Sequence, residues 1–305
     1  MSLAAALKGK GKNGFGYGST AMEVTDGLAL DGRTILVTGC ASGLGLETIR
    51  ALAARGARVI ATARTMDKAR AAHAGMPGAF LPLACDLSEP ASVRACIAAV
   101  RAGVEPLDAS ICNAGIMAPP ELKQAHGYEL QFFTNHVGHF ILVTGLLERL
   151  APDGRVVVVA SNAHRRAPGG IEFDNLSGAR DYVPMRAYGQ SKLANVLFTR
   201  ELARRLGPPG RTANCLHPGV IATNLMRTVP ALGRLALTLA APLVLKTPAQ
   251  GAATQCFLAT HPSVAGATGG YYRDCNPAEP WPAGRDDAAA ARLWETTEAI
   301  VAKVT

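Results

Sequence analysis

The chain has 305 residues, 49% of them hydrophobic but only 5% aromatic, so a large core must be filled mainly by Ala, Val and Leu. The formal charge of +8 comes from arginines scattered along the chain, with no Lys/Arg run interleaved with aromatics, which argues against a nucleic-acid partner. The seven cysteines form no C-x-x-C pair and sit mostly inside apolar runs; this excludes a disulfide framework or a zinc site and suits a reducing, cytoplasmic setting.

Residues 1–30 stand apart from the rest. Lys8, Lys10 and Lys12 alternate with Gly and Asn, and Gly14-Phe15-Gly16-Tyr17-Gly18 follows, which predicts a partly flexible start and then an arm lying on the domain formed by residues 31–305. Met1 to Leu7 is too short for the apolar region of a secretory signal, and Lys8 interrupts it. No uncharged apolar run reaches the roughly 18 residues that a membrane span requires.

From Thr34 onward, apolar runs alternate with helical spacing. Strands are predicted at 34–37, 58–63, 79–84, 109–112, 155–160 and 213–217, with a weaker one near Tyr271. Helices are predicted at 43–55, 66–74, 91–101, 126–150, 187–206 and 247–258, and a last one opens at Asp286 and Asp287. Such alternation implies an α/β fold: one domain with a parallel sheet covered by helices on both faces. A small apolar segment at 224–245 stands outside this alternation.

The first chemistry-bearing stretch is Ile35-Leu36-Val37-Thr38-Gly39-Cys40-Ala41-Ser42-Gly43-Leu44-Gly45, a strand, a turn and a helix start. Gly39 permits the tight turn, Gly43 allows backbone to approach a pyrophosphate, and Gly45 allows close helix–sheet packing. The helix N-terminus then offers N–H groups and a positive dipole end. The cofactor-binding candidates here are Gly39, Ser42, Gly43, Leu44 and Gly45. The second strand ends at Arg64, where an acidic residue would instead bind the ribose hydroxyls of NAD; a guanidinium at that point suits a 2′-phosphate. Lys68 lies one turn further on.

Tyr188 and Lys192 are four apart in a helical segment and share a face. A phenol with its usual pKa of about 10 moves protons reluctantly at neutral pH. An adjacent ammonium stabilises the phenolate, so the pair can serve an alcohol/carbonyl centre as acid or base. Ser161 follows the fifth strand, where a hydroxyl can bond the reacting oxygen. Asn135 lies inside the apolar run Phe132–Leu142, where a polar side chain needs a partner. His136 and His139 lack a third ligand and are read as buried helix contacts, with no metal; His164 lies near the expected substrate mouth and is assigned no role.

These motifs resemble the short-chain dehydrogenase/reductase superfamily from about Gly18 to the end. Thr38-Gly39, Gly43 and Gly45 match its cofactor turn, Asp86-Leu87 its adenine-contacting pair, and Cys112-Asn113-Ala114-Gly115 its N-A-G segment. Asn135, Ser161, Tyr188 and Lys192 match its catalytic tetrad, and His217-Pro218-Gly219 followed by Thr223 matches the segment that holds the nicotinamide carboxamide. Within the superfamily the chain is most similar to retinol dehydrogenase-like and WW-domain-oxidoreductase-like members. The shared strings are Thr134-Asn135-His136, Gly138-His139-Phe140, Ser191-Lys192-Leu193-Ala194-Asn195, Lys246-Thr247-Pro248, Asp274-Cys275 and Leu293-Trp294. One departure is Ala160, where many relatives carry a second serine.

The resemblance implies a doubly wound Rossmann fold with strand order 3-2-1-4-5-6-7 and the 224–245 segment as a substrate lid. It implies NADP(H) as cofactor, held by the glycine turn, Arg64, Asp86, Leu87, Asn113, Ala114, Gly115, Tyr188, Lys192, Pro218, Gly219, Val220 and Thr223. Asn135 would hold a relay water, Ser161 orient the substrate oxygen, Tyr188 exchange its proton, and Lys192 lower the tyrosine pKa and bind the nicotinamide ribose. The apolar lid suits an apolar or amphipathic alcohol, aldehyde or ketone as the small-molecule partner. Two other classes stay open. One is a nucleotide-binding regulatory or scaffolding protein on the same fold. The other is weak association with a membrane surface through the basic N-terminus and the apolar segment. The helices at 126–150 and 187–206 offer a homodimer face.

Overall fold

The computed structural model describes residues 9–103, 106–206, 210–221 and 245–304. Thr223 and lid residues 224–244 lie outside the described residues.

Apolar strands with no polar alternation must be covered on both sides. Strand β1 (Thr34–Thr38) shows this, with all five residues buried. The strands that follow are β2 (Arg58–Ala63), β3 (Phe80–Ala84), β4 (Leu107–Cys112), β5 (Leu150–Val159), β6 (Thr212–His217), β7 (Tyr271–Arg273) and β8 (Asn276–Ala278). They form one sheet in the order β3-β2-β1-β4-β5-β6-β7-β8. The first seven are parallel in the expected order, with registers such as Val37 beside Ala61 on one side and Ile111 on the other. The eighth is an addition: β8 pairs antiparallel with β7.

The helices alternate with these strands: α1 (Gly43–Ala53), α2 (Met66–His73), α3 (Pro90–Gly103), α4 (Gly138–Leu146), α5 (Pro184–Arg205), α6 (Pro248–Thr260) and α7 (Asp287–Lys303). Successive strand residues point to opposite faces. Leu36, Ile60, Val156 and Val158 therefore pack with Phe140, Leu193 and Leu197 on one side of the sheet. Ile35, Val37, Val59 and Val157 pack with Ile49, Leu52 and Phe257 on the other.

The helix expected over 126–150 is broken into pieces. Gln124–Ala125 pairs with Tyr128–Glu129 as a short hairpin, turning at His126 (φ 52°) and Gly127 (φ 83°). Both central residues of such a turn need positive φ, and the Gly supplies one cheaply. Glu129 then accepts the Phe132 N–H at 2.8 Å and starts the helical stretch. A π-helical turn runs from Phe133 to Val137 before α4, and Leu150 already belongs to β5. Helix α5 starts three residues earlier than expected, with Pro184 at the first position, where a missing N–H leaves nothing unbonded.

Helix α7 packs across α4 and α5. Trp294 lies 4.8 Å from Phe140 and 5.8 Å from Phe198 between ring centroids, and His136 bonds Thr297 at 2.9 Å. Part of the surface expected to form a homodimer face is thus covered within the chain. The N-terminal arm is tied down from residue 9. Lys10 bridges to Gly16, Asn13 Nδ2 donates to the Cys275 carbonyl at 2.7 Å, and Phe15 sets its ring edge on Phe257. A four-residue helix at Ala21–Val24 follows, closed by a Thr20–Glu23 capping box. All seven cysteines are free and buried. No helix among the described residues is long and apolar enough to cross a membrane.

Candidate active site

In a parallel sheet the carboxyl ends of the strands share one edge, and the reversal of strand order beside β1 opens a crevice there. The glycine turn lies at that edge. Gly39 has φ 74°, and a Cβ on it would come within 2.9 Å of Ala114 Cα. A Cβ on Gly45 would overlap the Gly39 carbonyl, so only glycine lets α1 begin this close to the sheet. Gly43 has φ 59° and open space around it. Ser42 is exposed and makes no side-chain cap, which leaves the first N–H groups of α1 without an acceptor from the N-cap side chain. Leu44 is half-buried beside Gly251 of α6.

Asn113 fastens β4 to β1. Its Nδ2 donates to the Thr38 carbonyl at 2.8 Å, and the Asn113 and Ala114 N–H groups both donate to Thr38 Oγ1 at 2.9 Å. Asn113, Ala114 and the exposed Gly115 are thereby brought beside the turn. Arg64, 64% exposed, stands at the end of β2 with Nε 3.9 Å from Asp86 Oδ2 at the end of β3. Asp86 is otherwise occupied by Ser88, whose N–H and hydroxyl it accepts at 3.0 and 2.7 Å; Leu87 is buried behind it.

Further along the same edge, Ser161 follows β5, and Tyr188 and Lys192 come from α5. Burial pushes the Tyr188 phenol up to about 12, and a hydrogen bond with Ser161 pulls the other way. Lys192 is buried, which lowers its ammonium to about 8. Its Nζ donates to the Val159 carbonyl at 2.8 Å and sits 5.7 Å from the Tyr188 ring centroid. The influences on the phenol here are burial and Ser161, with Lys192 beside the ring. The ammonium is held by the strand end, and Ser161 is the group that opposes burial.

Asn135 sits in the π-helical turn, fully buried. Its Oδ1 accepts the Ile116 N–H at 2.8 Å, and its Nδ2 donates to the Ile116 carbonyl and to Ser191 Oγ at 3.0 Å each. Ser191 in turn donates to the Tyr188 carbonyl at 2.8 Å. Both amide hydrogens are thus engaged inside the protein, and only acceptor capacity on oxygen is left for a relay water. A Cβ on Gly115 would lie 3.1 Å from Asn135 Oδ1 and 3.5 Å from Lys192 Nζ, so glycine keeps the way to both open.

Three histidines brace this side. The Asn135 carbonyl, which can only accept, lies 2.9 Å from His139 Nδ1, so that nitrogen carries the hydrogen. Nε2 then accepts from Thr38 Oγ1, also at 2.9 Å. Burial lowers His139 to about 4, keeping it neutral. One neutral ring therefore joins Thr38, beside the glycine turn, to Asn135. His164, 0% exposed, donates from Nδ1 to the Ser161 carbonyl at 2.5 Å and accepts the Trp281 N–H on Nε2 at 2.8 Å. His217 Nδ1 accepts the Asn162 N–H at 3.2 Å. After His217, Pro218 is buried, Gly219 has φ 100° and Val220 is 46% exposed. Sequence reasoning placed Thr38 in the glycine turn without foreseeing its hydrogen bonds to Asn113, Ala114 and His139, and left His164 without a role. For His164 the available signal was a histidine three residues after Ser161, a spacing at which a ring can return to the carbonyl.

The family model for short chain dehydrogenase matches residues 33–231. Retinol dehydrogenase 14 of Mus musculus is 40% identical, over 89% of this chain and 86% of that protein. The WW domain-containing oxidoreductase of Homo sapiens is 36% identical, over 93% and 71%. The short-chain dehydrogenase TIC 32 B, chloroplastic, of Brassica napus is 39% identical, over 99% of both. Among solved structures, a short chain dehydrogenase from Burkholderia cenocepacia J2315 in complex with NADP superposes with a TM-score of 0.65 at 26% identity, covering 80% of this chain and 97% of that one.

Proposed function

The chain belongs to the short-chain dehydrogenase family, and on that footing we propose that it is an NADP(H)-dependent oxidoreductase interconverting an apolar or amphipathic alcohol with its ketone or aldehyde. The observation that carries this reading is the meeting, at one sheet edge, of an uncapped glycine turn and of Ser161 beside Tyr188, with Lys192 behind the tyrosine ring.

The residues fit the cofactor. Gly39, Ser42, Gly43, Leu44 and Gly45 offer backbone N–H groups to its pyrophosphate. Arg64, exposed and only loosely paired, offers its guanidinium to the 2′-phosphate. Asp86 and Leu87 would border the adenine, Asn113, Ala114 and Gly115 its ribose, and Pro218, Gly219, Val220 and Thr223 the nicotinamide end. When bound, NADP(H) supplies or takes up the hydride. The protein's own part is the proton and the orientation. In reduction Tyr188 donates its phenolic proton to the substrate oxygen, which Ser161 Oγ orients by a hydrogen bond. Lys192, held at Val159, places an ammonium against the tyrosine ring and would bind the ribose hydroxyls. Asn135 and Ser191 hold α5 in register with Ile116. A cytoplasmic location is the reading that seven buried free thiols favour; cell fractionation tests it against the organelle named for the Brassica relative.

The test is a homologous series of aliphatic ketones and aldehydes, followed by NADPH absorbance. kcat/KM is expected to rise by up to about 0.8 kcal/mol per added methylene until the pocket fills. A flat series, or a preference for small polyhydroxylated substrates, contradicts the proposed substrate class.

A further inference from the structure

Two strings singled out in the sequence, Lys246-Thr247-Pro248 and Asp274-Cys275, have no part in the proposed chemistry, yet they meet. Lys246 is 1% exposed, and its Nζ lies 2.6 Å from Asp274 Oδ1. Neither atom has a well-angled hydrogen bond among the described residues, so charge holds the contact. The Tyr17 ring of the N-terminal arm lies 5.0 Å from the same ammonium. An ammonium taken out of water needs such compensation.

The carboxylate is presented by an unusual turn. Asp274 and Cys275 are the two central residues of the β7–β8 hairpin, with φ 54° and 63°. Turns of this kind favour Asn-Gly, and a cysteine in the left-handed region is strained. The turn is held from three sides. Cys275 N–H donates to Thr254 Oγ1 at 3.1 Å, Asn13 reaches the Cys275 carbonyl, and Asn276 Nδ2 reaches the Asp274 carbonyl at 2.7 Å. Strain kept in place by its surroundings points to a use for the side chain it aims.

That use is visible at the other end of the pair. The Lys246 stem crosses Gly219, where a Cβ would lie 2.6 Å from Lys246 Cδ. The Lys246 N–H donates to the Val220 carbonyl at 2.9 Å, and Lys246 bridges in parallel to Ile221. Lys246 thus lies along the whole stretch that follows β6. We propose that Lys246, neutralised by Asp274, is a positioning residue that fixes Pro218–Val220 for the nicotinamide end of the cofactor. This rests on the NADP(H) reading above. A buried pair that only stabilised the fold would affect all ligands alike, whereas this one predicts a loss confined to one half of the cofactor.

The experiment compares two probes by titration calorimetry: NADPH, and 2′-phospho-ADP-ribose, which lacks the nicotinamide. In Asp274→Asn and Lys246→Met, NADPH binding is expected to weaken about tenfold or more, with the nicotinamide-free probe changed less than about twofold. Lys246→Arg should restore most of the difference. The double variant removes both charges, so no buried ion is left alone to unfold the protein, and it should show the same selective loss. Equal weakening of both probes, or of neither, overturns the inference while leaving the cofactor reading intact. A wild-type protein that binds neither probe overturns both.

Discussion

The two halves of the sheet edge are built differently. On the side formed by β1, β2 and β3, the groups proposed to hold the adenosine end are exposed and lightly committed: Ser42 caps nothing and Arg64 has one loose partner. On the side formed by β4, β5 and β6, Asn135, Lys192, His139, His164 and His217 are buried, and each has a defined hydrogen-bond partner. The first side keeps its donors for a ligand. The second has already aligned its polar groups against each other, so little rearrangement is left for the moment of reaction. Changes on the first side should therefore alter which cofactor binds, and changes on the second should alter whether the site exists.

Acid should separate the halves most sharply. Burial lowers His139 and His217 from 6.5 to about 4. Between those values the unfolded chain binds the proton that the folded one refuses, so their contribution is complete above pH 6.5 and is lost as pH falls toward 4. Each has about 3 kcal/mol at stake. The Tm is expected to fall steeply across that window, and His139→Leu should flatten the slope while lowering the Tm at pH 7. An unchanged slope would mean that the ring is not buried neutral.

Thr38→Val comes next. It strips the acceptor from the Asn113 and Ala114 N–H groups and the donor from His139, a loss of about 1–3 kcal/mol for each group left unbonded. Denaturant unfolding should show at least one such increment, with turnover falling as well; a neutral result would break the link between the two halves. Arg64→Asp should have the smallest effect on the protein itself. Stability should hold within about 0.5 kcal/mol, since the residue is exposed, while preference shifts from NADPH toward NADH by about tenfold or more. A wild type that already prefers NADH contradicts the role given to Arg64.

The exposed half was the easier one to read. Gly39, Gly43 and Gly45 are demanded by backbone geometry at fixed spacing, and Arg64 stands where a strand ends. The Tyr188–Lys192 pair was legible for the same reason, being four residues apart on one helix. What stayed hidden depends on contacts between distant segments. His139 gives no sign in sequence that it touches Thr38, 101 residues away. His164 reads as a histidine near the substrate mouth with no role, and nothing in sequence shows that the Trp281 N–H, 117 residues away, bonds its ring. The π-helical turn was absorbed into one long helix, because the apolar periodicity of Phe132–Leu142 runs through it unchanged. The β7–β8 hairpin was missed because Asp274-Cys275 is not a turn pair by composition.

The central claim is that Tyr188 is the proton donor of a site assembled before its ligands arrive. Tyr188→Phe tests it directly, with NADPH turnover and NADPH binding measured on the same preparation. The phenolic hydroxyl is the only group removed; Ser191 bonds the backbone carbonyl of residue 188 and Asn135 bonds Ser191, so neither bond involves the ring. The account predicts a fall in kcat of about 100-fold or more with NADPH affinity changed less than about twofold. Retention of more than about a tenth of kcat would contradict it.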